Sequence, residues 1–162
     1  MKDNKQVIDK FDGTEYGLLS NFHPCEFEYK GITYKHSEGA FQAQKTLDEK
    51  ERQYVATLTA GESKRACGRR GLKGFKVSFR ADWEQVKDQV MYEVVTEKFK
   101  QNPDLKEKLL ATGDTLLIEG TTWHDNYWGN CTCARCKNIT GRNQLGLTLM
   151  RVREELRTGG IE

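Results

Sequence analysis

Apolar and polar positions alternate with period two in CEFEYKGITYKH (residues 25–36), and the alternation breaks at Lys30-Gly31. Period two puts successive side chains on opposite faces of a strand, and glycine accepts a positive φ at the break, so this stretch predicts a short hairpin. VIDKF (7–11) and TLLIEG (115–120) predict two more short strands. Elsewhere the period is helical. DWEQVKDQVMYEVVTEKFKQ (82–101) places Trp83, Val86, Val90 and Val94 on one stripe, widened by Met91, Val95 and Phe99, and predicts the longest helix. SEGAFQAQKTLDEKE (37–51) predicts a helix capped by Ser37 and carried by Ala40, Phe41, Ala43 and Leu47.

Further helices are expected over 51–58, from about 61–62 to Gly68 or Gly71, and from Pro103 to Ala111, where Asn102 caps the start and Gly113 closes the end. Leu145, Leu149, Val152 and Leu156 recur at helical spacing and predict a last helix over 143–156. The expected fold is α+β, mostly helical, with a small β-sheet. No linker interrupts the pattern, so a single domain over 1–162 is expected, with its core at 11–156.

Composition narrows the class. The chain has 162 residues, of which 36% are hydrophobic and 31% charged, as in a globular protein with a modest core. No apolar run approaches the roughly 20 residues of a membrane span. MKDNKQVIDKF lacks the apolar segment of a secretory signal, so a cytoplasmic protein is expected. Net charge is +2, which excludes a strong global attraction to nucleic acid. Locally, SKRACGRRGLKGFK (63–76) holds six Lys or Arg in fourteen residues, with glycines that let backbone N–H groups approach an anion. A solvated helix face would look the same.

Two groups of residues could carry chemistry. Glu38, Gln42 and Lys45 are spaced i, i+4, i+7 and share a helix face. Such a stripe describes an ordinary exposed face, but it borders Ala40 and Phe41, and a partly buried lysine beside a carboxylate is how a lysine becomes nucleophilic. TTWHDNYWGNCTCARCKN (121–138) places Asp125 among Trp123, Tyr127 and Trp128, which suits either a core or a pocket that stacks a planar heterocycle and moves a proton. Five cysteines without a secretory signal argue against a disulfide framework. Cys25 and Cys67 stand alone as small core residues. His124, Cys131, Cys133 and Cys136 supply four soft or borderline donors within thirteen residues, a set that suits tetrahedral zinc in a structural role; three reduced thiols on a loop are the alternative. Cys67 and Cys25 are reserve ligands should His124 not serve.

Seven blocks, taken together, resemble the NADAR family, with its YbiA-like fold: YGLLSNF (16–22), SEGAFQAQK (37–45), ACGRRG (66–71), WEQVKDQVMYEVVTEKFKQN (83–102), LLATGDTLLIE (109–119), DNYWG (125–129) and GRNQLGLTLMRVREEL (141–156). They stand in the family's order and span residues 11–156. The resemblance implies cleavage of a C–N glycosidic bond, in ribosylaminopyrimidine phosphates or in ADP-ribose attached to guanine. It implies a pocket of Asn21, Phe22, Glu38, Gln42, Lys45, Gly68, Arg69, Glu119, the loop from Asp125 through Trp128 to Gly129, and Asn143. The chain departs from the family pattern twice. Gly39 stands where many members have His, which puts in doubt a mechanism that needs that His. NCTCARCKN (130–138) stands where many have a glycine-rich stretch, so the cysteines decorate an enzyme loop rather than form a nucleic-acid finger.

With the resemblance, these readings lead to the expectation of an N-glycosidase in which Lys45 would attack the anomeric carbon, Glu38 or Asp125 would move protons, Trp128 or Phe22 would stack the base, and Arg69, with Lys64 or Arg65 nearby, would hold phosphate. No cofactor is expected for catalysis, and a structural zinc is expected at the cysteine loop. The expected partner is a small nucleotide-like substrate or ADP-ribosylated guanine in nucleic acid, with no membrane and no obligate protein partner. A non-catalytic ADP-ribose-binding module would keep Trp128, Phe22 and Arg69 without needing Lys45. A protein that binds unmodified DNA is a weaker third reading, and it would show a steep salt dependence.

Overall fold

The computed structural model describes residues 6–161. In chain order its elements are β1 (Val7–Ile8), α1 (Gly13–Tyr16), β2 (Phe27–Tyr29), β3 (Ile32–Tyr34), α2 (Ser37–Ala43), α3 (Glu49–Val55), α4 (Ala60–Ala66), α5 (Trp83–Gln101), α6 (Pro103–Ala111), β4 (Leu116–Leu117), β5 (Gly120–Thr121), β6 (Asn130–Cys131) and α7 (Gln144–Thr158). Helix dominates, and the strands form three two-stranded pairs. No described helix is long and apolar enough to cross a membrane. The chain packs into two compact units, one of Asn21–Asn102 and one that joins the segment ending at Ser20 to everything from Pro103 onward.

In the unit of Asn21–Asn102, β2 and β3 form the expected antiparallel hairpin, with Phe27 opposite Tyr34 and Tyr29 opposite Ile32. Lys30 and Gly31 both take positive φ (49° and 83°), so the two-residue turn follows the right-handed twist of its strands. The inward faces of the hairpin, Phe27, Tyr29, Ile32 and Tyr34, are buried, as are Val90, Met91, Val94, Val95 and Phe99 of α5. Helix α2 packs on β3, α3, α4 and α5.

The helix starts are set by side chains. Asp48 accepts from the Glu51 N–H and opens α3 two residues earlier than the sequence predicts. Thr59 and Glu62 form a reciprocal capping box on α4. The predicted cap of α2 is corrected by one position. Ser37 turns its hydroxyl to the Asn21 side-chain oxygen, 2.9 Å away, and His36 takes the cap, its Nδ1 accepting from Gly39 N–H at 2.9 Å. Nε2 of the same ring lies 3.0 Å from the Leu58 carbonyl, which fixes the neutral tautomer with the proton on Nε2.

In the other unit, β1 pairs in parallel with β4, and α7 packs on β4 and α6. Pro103 opens α6 as expected, and Gly113 follows its end at φ 59°. Helix α7 begins at Gln144, after Asn143 in the left-handed conformation, and presents Leu145, Leu149, Val152 and Leu156 to the interior.

Burial lowers the pKa of His36 below the ordinary histidine value of 6.5; the Leu58 hydrogen bond opposes this weakly and Lys35 adds to it. Below that value the unfolded chain takes up a proton that the fold resists, so the contribution of His36 is complete above it and is lost as pH falls through the depressed folded value. Thermal melts from pH 7.5 to 5 should therefore show a steeper acid-side loss of Tm for the native chain than for His36→Asn, which caps without titrating. Parallel curves would mean that the cap carries no proton linkage.

Candidate functional site

Helix α2 is buried along its whole length although it carries Ser37, Glu38 and Gln42. Glu38 is 8% exposed and Gln42 5%. Buried polar side chains are uncommon and demand partners. One turn apart, Gln42 Nε2 donates to Glu38 Oε1 at 2.9 Å. The Gln42 Oε1 atom is buried and has no protein partner. The Glu38 N–H donates to the Asn21 carbonyl at 2.9 Å, and Asn21 Nδ2 reaches Met91 Sδ at 3.6 Å. Asn21 thus seats the first turn of α2 on α5. Ser63 Oγ and the His36 ring fill the space beside Gly39, where a Cβ would come within 2.8 Å of His36 Cε1. In this chain the His36 ring therefore takes up room that a side chain at position 39 would need.

Lys45 lies just past the end of α2, and its backbone N–H donates to the Gln42 carbonyl, which continues the turn. The side chain is half-buried. Its Nζ donates to the Cys67 carbonyl at 3.4 Å and stands 6.0 Å from the centroid of the Trp83 ring. Burial draws the Lys45 ammonium below the usual lysine range, and Lys64 adds to this, while Cys67, Glu38 and Glu84 oppose it. Cys67 opposes only as a thiolate. Burial pushes that thiol up to about 12, so at neutral pH it is uncharged and its opposition lapses.

Two further predicted residues belong to this unit. Phe22 is exposed, at 48%. Arg69 is exposed, as are Arg65, Arg70, Lys73 and Lys76, so the basic stretch faces solvent after α4. Lys73 and Gly74 take positive φ in a tight turn closed by paired hydrogen bonds between Leu72 and Phe75.

In the other unit, the loop between β5 and α7 is built by its backbone. Asp125 Oδ1 accepts from Tyr127 N–H at 3.1 Å and Trp128 N–H at 2.9 Å, so this carboxylate folds its own loop. The carbonyls of Tyr127, Trp128 and Gly129 in turn accept from the N–H groups of Gln144, Leu145 and Asn143. These are the N–H groups that a helix start leaves unpaired, so the loop caps α7. Asn143 Oδ1 accepts from Glu119 N–H at 2.9 Å, and its Nδ2 donates to the Leu117 carbonyl at 2.8 Å. Gly129 has no room for a side chain, since a Cβ would come within 2.2 Å of the Glu119 carbonyl oxygen. Tyr127 and Trp128 meet edge to face at 4.9 Å, Arg142 lies over the Tyr127 ring, and Trp123 is exposed.

The same loop draws the cysteines together. His124 turns the chain at φ 68°. Its Nδ1 lies 3.3 Å from Cys133 Sγ and 3.4 Å from Cys136 Sγ, and its backbone N–H donates to Cys131 Sγ at 3.3 Å. The four donor atoms all lie within 4.8 Å of one another, and neither Cys25 nor Cys67 is among them. Four donors at about 2.0–2.3 Å from a tetrahedral ion lie roughly 3.3–3.8 Å apart, so a small closure would seat one. Asn126 supports the cluster, its Oδ1 accepting from Cys131 N–H at 2.8 Å.

The sequence reading placed Trp83 on the apolar stripe of α5 and did not anticipate its contact with Lys45. Its ring packs on Phe41 with centroids 5.1 Å apart and lies under the Lys45 amine. The available signal was its position at the helix start, where a ring need not be wholly buried.

Residues 9–157 match the family model described as NADAR domain. Over 142 residues the chain is 39% identical to a protein named N-glycosidase YbiA from Shigella boydii, covering 88% of this chain and 82% of that one. It is 39% identical over 141 residues to a riboflavin biosynthesis protein of Vibrio vulnificus, covering 87% of this chain but 36% of that longer one. Among solved structures, the NMR structure of the E. coli protein YbiA matches with a TM-score of 0.75 and 34% identity, over 99% of this chain and 94% of that one. The likeness runs through both units and through the segments that carry Glu38, Lys45, Asp125 and Asn143, and the chain belongs to the NADAR family.

Proposed function

We propose that this chain is an N-glycosidase, a hydrolase acting on N-glycosyl compounds, which cleaves the bond between a ribose, as a ribose phosphate or within ADP-ribose, and a nitrogenous base. Its relatives' names support the enzyme class. The observation that carries the chemistry is the buried Glu38–Gln42 pair on α2, with the half-buried amine of Lys45 past its end.

The base leaves as a nitrogen anion unless it is protonated, and the anomeric carbon becomes electron-poor as the bond lengthens. Lys45, once neutral, attacks that carbon with its lone pair. The C–N bond to the base breaks, the leaving nitrogen takes a proton from Glu38, and Glu38 recovers one from the alkylated Lys45 nitrogen. That nitrogen's second proton passes to the ring oxygen as its bond to the anomeric carbon breaks, and the opened sugar is held as an imine on Lys45, which water hydrolyses to return the amine and release the sugar. The Gln42 amide holds Glu38 through Nε2. Arg69, exposed beyond α4, is assigned to phosphate.

We also assign the His124, Cys131, Cys133 and Cys136 cluster to a structural zinc. Three thiols and an imidazole match the metal's preference for sulfur and nitrogen, and four protein donors leave no position open for catalysis. Reduced thiols in the cluster suit a cytoplasmic setting.

Incubation with ADP-ribosylated guanosine, and separately with a ribosylaminopyrimidine phosphate, should release the base from one of them. Sodium cyanoborohydride should trap a sugar adduct on the Lys45 peptide, seen by mass spectrometry. Lys45→Arg should lose at least 1,000-fold in kcat (about 4 kcal/mol) and lose the adduct. Base release by that variant at the native rate would sink the nucleophile assignment. Glu38→Gln should lower kcat by roughly 100-fold with KM little changed, since proton transfer typically contributes 10²–10⁴.

For the metal, protein purified without chelator should carry about one equivalent of zinc. Cys133→Ser should reduce that content and lower Tm, because binding to the folded chain alone stabilises it. Less than a tenth of an equivalent, with an unchanged Tm after chelation, would rule the zinc out.

A further inference from the structure

Trp83 opens α5 half-buried, with its ring on Phe41 and the Lys45 amine 6.0 Å from its centroid. The sequence assigns it to the core stripe, and no role in chemistry follows from that. Its position does carry one. A tryptophan face is the best of the aromatic surfaces for a cation, and it is equally a platform for a planar heterocycle. One face cannot serve both at once.

We propose that Trp83 is a positioning residue for Lys45: in the free protein its ring holds the protonated amine, and on binding, the planar base of the substrate takes that face and displaces the amine. This rests on the reading of Lys45 as nucleophile. Contact with the ring favours the ammonium over the amine. The charged groups acting on Lys45 at neutral pH are Glu38 on α2, Lys64 on α4 and Glu84 on α5, with the uncharged Cys67 thiol after α4, and these are the same before and after the exchange. Loss of the ring contact is therefore what changes, and the proton it frees passes to water. The ring contact thus lowers the neutral, reactive fraction of the lysine by roughly 2.5- to 5-fold until a base is in place. The substrate class follows: the leaving group must be flat and wide enough to cover an indole face, so a purine or pyrimidine qualifies and an aliphatic amine does not.

The test begins without substrate. The rate at which an amine-directed acylating reagent modifies Lys45 is read by peptide mass spectrometry across pH for the native chain, Trp83→Phe and Trp83→Leu. Removing the ring should move the labelling midpoint down by roughly 0.4–0.7 pH unit in Trp83→Leu, the shift that a cation–π contact of ordinary strength converts to. Trp83→Phe, which keeps a ring against Phe41, should shift less and serves if the leucine variant fails to fold. An unchanged or raised midpoint in both would overturn the proposal. With ADP-ribosylated guanosine as the probe, Trp83→Leu should raise KM at least tenfold; an unaltered KM would show that the base does not use this face. Cyanoborohydride trapping of the native chain separates the two readings. If no adduct forms, the nucleophile assignment fails, while the labelling midpoint still reports whether Trp83 sets the proton affinity of Lys45.

Discussion

The withdrawal of α2 from water governs the chemistry of its unit. A seven-residue helix is too short to stand by propensity, so it exists because α3, α4, α5 and β3 enclose it. Enclosure makes its polar groups expensive, and all but the Gln42 Oε1 atom are provided for. His36 meets the Gly39 N–H, Asn21 meets the Glu38 N–H and the Ser37 hydroxyl, and Gln42 meets the Glu38 carboxylate. Because protein atoms already occupy the first turn, the N-terminus of α2 is not an anion site. What it offers instead is a buried carboxylate and amide hydrogen-bonded to each other in a low-dielectric setting, their geometry fixed in advance.

The other unit reaches rigidity by a different route. Between β5 and α7 the chain has few apolar residues to bury, and its order comes from backbone hydrogen bonds. Asp125 gathers two N–H groups, three successive carbonyls cap α7, and Asn143 ties β4 to the helix start in both directions. Gly129 and Gly146 make this possible, since a Cβ at either would fall about 2.2 Å from a carbonyl oxygen, of Glu119 and Leu117 respectively. The carboxylate of Asp125 thus acts first as a structural acceptor, and any part it takes in proton transfer would disturb the turn it holds.

What the sequence made legible was local. The Lys30-Gly31 turn, the stripe of α5, the proline start of α6 and the glycine after its end each depend on residues within a few positions of one another, and the structure has them where the pattern put them. Spacing also placed Glu38, Gln42 and Lys45 in line, and it grouped the four donors of the cysteine loop. Burial was not legible. The same i, i+4, i+7 pattern describes a solvated face, and only the packing of α3, α4 and α5 shows that this one is enclosed. For the same reason Lys98, on the otherwise apolar side of α5, is 1% exposed without any mark in the sequence to announce it. The cap of α2 escaped because serine is the commoner cap, and only the distant Asn21 side chain draws Ser37 away from the task. Trp83 escaped because an aromatic ring on a helix stripe reads as core, and its contact with Lys45 spans 38 positions of chain.

The cysteine segment shows how a polar loop can be ordered without a core. A glycine-rich stretch, as many of the family carry there, fits tight turns but adds conformational freedom that folding must remove. Here four side chains converge instead, and Asn126 ties the cluster to its surroundings, accepting from Cys131 through its side chain and from Arg142 through its carbonyl. A metal at that point would link His124 to Cys136 in the folded chain, and its binding free energy would offset the cost of ordering the loop in a single step. The cross-link would close around Asp125, Trp128 and Gly129, the segment whose carbonyls start α7. Order imposed at the cluster would therefore reach the helix through backbone hydrogen bonds, with no side chain of the cluster needing to touch a substrate.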